Sequence, residues 1–128
     1  NMYIWQDDYV RLSHIFTKSM AGATLADLLL KEGNEFEDVV SRTSEDAATK
    51  TKGGDLGLVK IKDLSPEIRE YAAKLRIGET SPPIPTLYGY EIVKVTDGRR
   101  KGAPMGFEWA RDEIIKTLTL QRRQEEID

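Results

Sequence analysis

The chemistry open to this chain rests on few side chains. His14 is the only histidine, and a lone imidazole serves as a general acid or base, or else sits half-buried on a hydrogen bond to backbone. Glu45 and Asp46 lie in a polar stretch, Ser44 to Lys52, that has no apolar periodicity and reads as a loop, where a carboxylate is ordinarily solvated. Gly53-Gly54-Asp55-Leu56-Gly57 follows directly. Three glycines in five residues demand tight backbone, but the run lacks the Lys-Ser/Thr of a P-loop and the spacing of a dinucleotide fingerprint, so phosphate binding is rejected. Ser13 or Ser44 could be paired with His14 as nucleophile and base, although neither a nucleophile elbow nor a third partner accompanies them. The chain has no Cys, which removes disulfides, thiolate catalysis and Cys-ligated zinc. One His without Cys argues against transition-metal catalysis, and no cofactor is expected.

These side chains need a scaffold, and 128 residues with 39% apolar and 32% charged content support one compact domain with a modest core. A net charge of -3 provides no basic field for nucleic acid or anionic lipid. The longest apolar run, around Leu28 to Leu30, is far short of the roughly 20 residues that span a bilayer. Tyr9 to Phe16 is rich in β-branched and aromatic residues and predicts a strand ending near Thr17, with Val10, Leu12, His14 and Phe16 on one face. Met20, Leu25, Leu28 and Leu29 then repeat at helical spacing, with Ser19 as N-cap and Gly33 past the end. A second short helix runs from Phe36 to about Arg42.

Leu58 to Ile61 reads as a short strand or a bulged extension. Ser65-Pro66 opens a helix that runs to Leu75, with Ile68, Tyr71, Ala72 and Leu75 as its buried stripe. Ser81 to Pro85 is extended by its prolines, Tyr88-Gly89 is a turn, and Tyr90 to Val95 is a strand with Tyr90 and Ile92 on one face and Glu91, Val93 and Val95 on the other. Arg99 to Gly106 reads as a linker. Phe107, Ile114, Ile115 and Leu118 mark a final helix that meets no stop signal before Asp128, so the chain is expected to be a piece of a longer protein. Three parts follow: residues 1–8 as the end of an upstream segment, 9–100 as the domain, and 101–128 as linker and truncated C-terminal helix.

The order of these pieces resembles the parvulin family of peptidyl-prolyl cis-trans isomerases over about residues 9–100. The carriers are Leu12-Ser13-His14-Ile15, Gly33-Asn34-Glu35-Phe36, Ser44-Glu45-Asp46, Gly53-Gly54-Asp55-Leu56-Gly57, Gly78-Glu79-Thr80-Ser81-Pro82-Pro83-Ile84, and Tyr88-Gly89-Tyr90-Glu91-Ile92-Val93-Lys94-Val95. The resemblance implies an α+β fold, a four-stranded antiparallel sheet wrapped by about four helices, here with a C-terminal helical extension. It implies catalysis by His14, Asp46, Thr86 and Glu91, and binding of the proline by Leu56, Val59, Leu64 and Ile68, with Tyr88 beside them. His14 matches the first of the family's two core histidines, Thr86 its core threonine, and Asp46 a position held by Cys or Asp. Glu91 replaces the second core histidine, and Val59 stands where a larger residue is usual, so the pocket is expected to be wider and less aromatic. If Asp46 and Glu91 both approach His14, the imidazolium is favoured unless burial dominates. The alternative is that Glu91 points to water from an edge strand.

The implied partner is an unfolded or proline-containing polypeptide, with neither nucleic acid nor membrane insertion. One Lys and no Arg in Thr17 to Gly22 argue against recognition of a phosphorylated residue. Three functions stay open: a prolyl isomerase assisting folding, a catalytically weak module that binds unfolded polypeptide, and a structural element. The final helix and the absence of Cys resemble extracytoplasmic chaperone-isomerases of the SurA and PrsA kind and predict a periplasmic or otherwise extracytoplasmic bacterial setting.

Overall fold

The computed structural model describes residues 4–103. The final helix expected after Phe107 lies outside the described residues. Along the chain run β1 (Tyr9–Thr17), α1 (Met20–Lys31), α2 (Phe36–Thr43), α3 (Ala47–Lys50), β2 (Asp55–Lys60), a 3₁₀ turn (Ile61–Asp63), α4 (Pro66–Lys74), β3 (Ile84–Thr86) and β4 (Gly89–Arg99). The strands form one antiparallel sheet in the order β2-β1-β4-β3. The expected α+β architecture, four antiparallel strands with four helices, is therefore present.

Side-chain alternation splits the core into two layers. On one face, Val10, Leu12, Ile84, Val93 and Val95 pack against Ile68 and Ala72 of α4. On the other, Ile15 and Ile92 pack against Ala26 of α1 and Phe36, Val39 and Val40 of α2. β1 and β4 hold the centre, so a side chain on either is flanked by strands on both sides.

One expectation is corrected. The stretch Ser44 to Lys52 contains a one-turn helix, α3, whose N-cap is Asp46; too short to show an apolar period, it is formed by the Asp46 carboxylate accepting from the Ala48 N–H at 3.2 Å. The α1 helix and its Ser19 cap are as expected; its buried residues are Ala23 and Ala26, Leu29 and Leu30 pack partly buried against the core, and Met20, Leu25 and Leu28 are exposed. Helical spacing identifies an apolar stripe without saying that it turns inward, and small alanines let this helix lie close to the sheet. Near the ends of the described residues, Trp5 is buried and its backbone pairs with Gly102 and Ala103, while the Lys101 N–H donates to Asp8 Oδ1.

Candidate functional site

His14 lies on β1 directly opposite Val93 of β4, and Glu91, two residues along β4, opposes Phe16. Alternation puts His14 and Glu91 on one face as diagonal neighbours, a separation that a glutamate spans. His14 Nδ1 and Glu91 Oε1 are 2.7 Å apart. On the far side of the ring, Nε2 is 2.7 Å from Asp46 Oδ2 and 3.2 Å from Thr49 Oγ1. Because β4 is an interior strand, Glu91 does not point to water from a sheet edge.

Asp46 arrives from a distant segment, and its placement has a local cause. The Glu45 N–H donates to Phe16 O at 2.7 Å, the Phe16 N–H donates to the fully buried Ser44 Oγ at 3.2 Å, and the Lys18 N–H donates to Glu45 Oε2 at 2.8 Å. Residues 44–46 are thus stitched to the end of β1, two residues from His14. The glycine turn completes the approach: Gly54 O accepts from the His14 N–H at 2.9 Å. A Cβ on Gly54, at φ +80°, would stand 2.4 Å from His14 O and 3.1 Å from His14 N, so the glycine run serves close contact with the site strand.

A carboxylate only accepts hydrogen bonds, and His14 meets one at each ring nitrogen, so the doubly protonated ring satisfies both sides at once. Only 8% of His14 is exposed. Burial disfavours its charge, but the bonds to Glu91 and Asp46 outweigh that penalty and hold the pKa above the ordinary 6.5. Asp46 lies below the usual 3.8, first through the Thr49 hydroxyl and second through His14, against some burial. The two carboxylates share one imidazolium, leaving the cluster with one net negative charge.

Neither serine forms a nucleophile pair with this ring. Ser13 alternates to the opposite sheet face, and Ser44 Oγ is occupied by backbone N–H groups of Phe16 and Asp46. With both ring nitrogens turned to carboxylates, no lone pair faces outward to ligate a metal, and among the described residues no cluster of His, Cys, Asp or Glu is arranged to hold one.

The remaining sequence-designated residues separate. Val59, Leu64 and Ile68 meet in the apolar layer beside Val10 and Leu12, on the same sheet face as His14. Ile68 is buried there as a core residue, and Val59 and Leu64 are partly buried. Leu56 is exposed, and so is Tyr88, at 78%. The Thr86 hydroxyl donates to Gly89 O at 3.2 Å across the β3–β4 turn and makes no hydrogen bond to His14. Thr49 escaped the sequence reading as a site residue, and Ser44, weighed there as a nucleophile, instead anchors the backbone that carries Asp46; the spacing Asp46-Ala47-Ala48-Thr49, one helical turn, was the available signal for Thr49.

Comparison with known proteins gives a consistent result. The Rotamase family model, described as a PPIC-type PPIASE domain, matches residues 17–97. The foldase protein PrsA of Geobacillus kaustophilus is 36% identical over 113 residues, covering 86% of this chain and 39% of the relative. Among solved structures, the peptidylprolyl isomerase PrsA of Bacillus anthracis superposes with a TM-score of 0.69 at 29% identity, covering 93% of this chain and 54% of that one. A PpiC-type peptidyl-prolyl cis-trans isomerase domain gives 0.66 at 27% identity, covering 73% of this chain and 94% of that domain. The chain spans about two fifths of the length of the curated relatives it matches.

Proposed function

The chain belongs to the PPIC-type peptidyl-prolyl isomerase family, and from that premise we propose that residues 9–100 accelerate cis-trans isomerisation of X-Pro bonds in unfolded polypeptide, within a longer folding-assistance protein. The observation that carries the reading is the closed arrangement Asp46–His14–Glu91. Its ring nitrogens are both engaged at 2.7 Å, which suits a reaction that needs neither a nucleophile nor net proton transfer.

Rotation about an X-Pro amide is slow because the twisted state loses amide resonance, a barrier of roughly 18–20 kcal/mol for peptide bonds. A catalyst must bind the twisted state better than either planar one. An apolar surface formed by Val59 and Leu64, backed by the buried Ile68, would hold the proline ring on one side of the bond. The twisted carbonyl has less charge separation than the planar one and is better tolerated where water is scarce. In this reading Asp46, His14 and Glu91 shape the field at the carbonyl, Thr86 sets the β3–β4 turn, and Leu56 and the exposed Tyr88 contact the client at the rim. Removing one polar member weakens turnover without abolishing it.

The reading is tested by exchange NMR on a short X-Pro peptide with catalytic amounts of the domain and of His14→Ala. Cis-trans exchange cross-peaks that appear with the wild-type domain and weaken with the variant are expected. Saturable peptide shifts without acceleration would instead establish a binding module, the second reading, which the replacement of the family's second core histidine by Glu91 favours. An extracytoplasmic setting for the parent protein fits the absence of Cys and is checked by fractionating cells that express it.

A further inference from the structure

The carboxylate that faces His14 would be free to turn about its own Cβ–Cγ bond, because a terminal sp³–sp² torsion has a broad energy well. Here both of its oxygens are pinned. The Ala48 N–H donates to Oδ1 at 3.2 Å and the Thr49 hydroxyl donates to Oδ2 at 2.7 Å. That same Oδ2 receives the His14 Nε2–H at 2.7 Å. The Thr49 proton is committed to Asp46, so the oxygen lone pair that lies 3.2 Å from Nε2 is an acceptor for the ring. One hydroxyl therefore touches both members of the ion pair.

Thr49 is itself firmly held. It is 7% exposed, and β-branching restricts its χ1. Its carbonyl accepts the N–H groups of Lys52 and Gly54, each at 2.9 Å, which ties it to the turn whose next contact is the His14 backbone. A hydroxyl that served only the helix would be satisfied by a backbone carbonyl; this one is turned to the charged cluster.

We propose that Thr49 is a positioning residue of the isomerase site, setting through its hydroxyl the plane and the oxygen with which Asp46 meets His14. The inference rests on the isomerase reading for its kinetic consequence but not for its structural one. The test compares wild type, Thr49→Val, which keeps the shape and removes the hydroxyl, and Thr49→Ser, which restores it. Two readouts are taken: peptide exchange kinetics, and the Asp46 carboxyl titration by ¹³C NMR, with amide spectra confirming the fold. Should Thr49→Val not fold, Thr49→Ala carries the same comparison.

For Thr49→Val the expected result is a fall in kcat of about tenfold, the worth of one hydrogen bond, with KM little changed. The Asp46 midpoint should also move up because its strongest stabilising contact is lost, and Thr49→Ser should recover both. An unchanged midpoint and unchanged exchange rates in Thr49→Val would overturn the proposal. If wild type fails to catalyse exchange, the isomerase reading falls, and the midpoint alone decides: an upward move upholds Thr49 as the group that positions Asp46, and no move refutes it.

Discussion

Glu91→Gln isolates the charge in the Glu91–His14 contact while keeping its length. In the wild type, the Nδ1–H to Oε1 bond joins a cation to an anion with His14 nearly buried and the Glu91 side chain 23% exposed. A hydrogen bond between charged groups contributes about 1.5–3 kcal/mol and a neutral one about 1. Glutamine retains the neutral bond, so the difference is about 0.5–2 kcal/mol and the expected loss near pH 5.5 is about 0.5–1 kcal/mol, the lower part of the range, because Glu91 is partly solvated. With a urea slope of about 1.5 kcal/mol/M for a domain of this size, the unfolding midpoint shifts down by roughly 0.3–0.7 M. The buried Trp5 supplies a fluorescence signal.

The pH dependence follows from the directions of the two shifts. The pKa of His14 is raised above 6.5 in the folded state, so its stabilisation is complete below pH 6.5 and is lost as pH rises through the folded midpoint. For Asp46 the pKa is lowered below 3.8, so its contribution is complete above that value and is lost as pH falls through the folded midpoint. The cluster is therefore most stabilising between pH 3.8 and 6.5. The cost of Glu91→Gln should accordingly shrink at pH values above the His14 titration, where the imidazole is neutral and only the carboxylate of the pair keeps its charge. Equal costs on both sides of that titration, or none on either, would refute the ionic description of the cluster.

Three further outcomes follow from the same geometry. Gly54→Ala forces a Cβ to 2.4 Å from the His14 carbonyl at positive φ; a loss of about 3 kcal/mol or more is expected, read by urea unfolding, with the His14 ring signals displaced. Ile68→Ala, at a residue buried in the apolar layer, should cost about 2–5 kcal/mol in the same assay, so its effect on turnover should follow the folded fraction. A phosphoserine-proline peptide should be turned over no faster than its alanine-proline counterpart, and about fivefold slower if the phosphate stands near the net negative cluster, a penalty on the order of 1 kcal/mol. Faster turnover would mean that a cation outside this cluster reads the phosphate.

What could be read from the sequence divides according to how far each contact reaches along the chain. The shared face of Val10, Leu12 and His14, and that of Glu91, Val93 and Val95, follow from a period of two within single strands, and the structure bears out both. That His14 should meet Glu91 needed only the further step of pairing the two strands, because the diagonal neighbour of an interior residue is fixed by register. Asp46 is different. Its arrival at Nε2 depends on Ser44 and Glu45 hydrogen bonding to Phe16 and Lys18, contacts between segments with no common period, and only the resemblance to a family brought it to the site. The role of Thr49 was less accessible still, because a four-residue helix leaves no periodic trace and its hydroxyl acquires meaning only once Asp46 is in place. In α1 the spacing of Met20, Leu25, Leu28 and Leu29 predicts the helix but not its inward face: Ala23 and Ala26 are buried, Leu29 and Leu30 pack against the core, and Met20, Leu25 and Leu28 are exposed. In this domain, then, the strands carry the part of the site that patterning can predict. The part that distinguishes His14 from an ordinary half-buried histidine, a second carboxylate at Nε2, is brought there by tertiary hydrogen bonds between residues 44–46 and the end of β1 that no strand or helix period encodes.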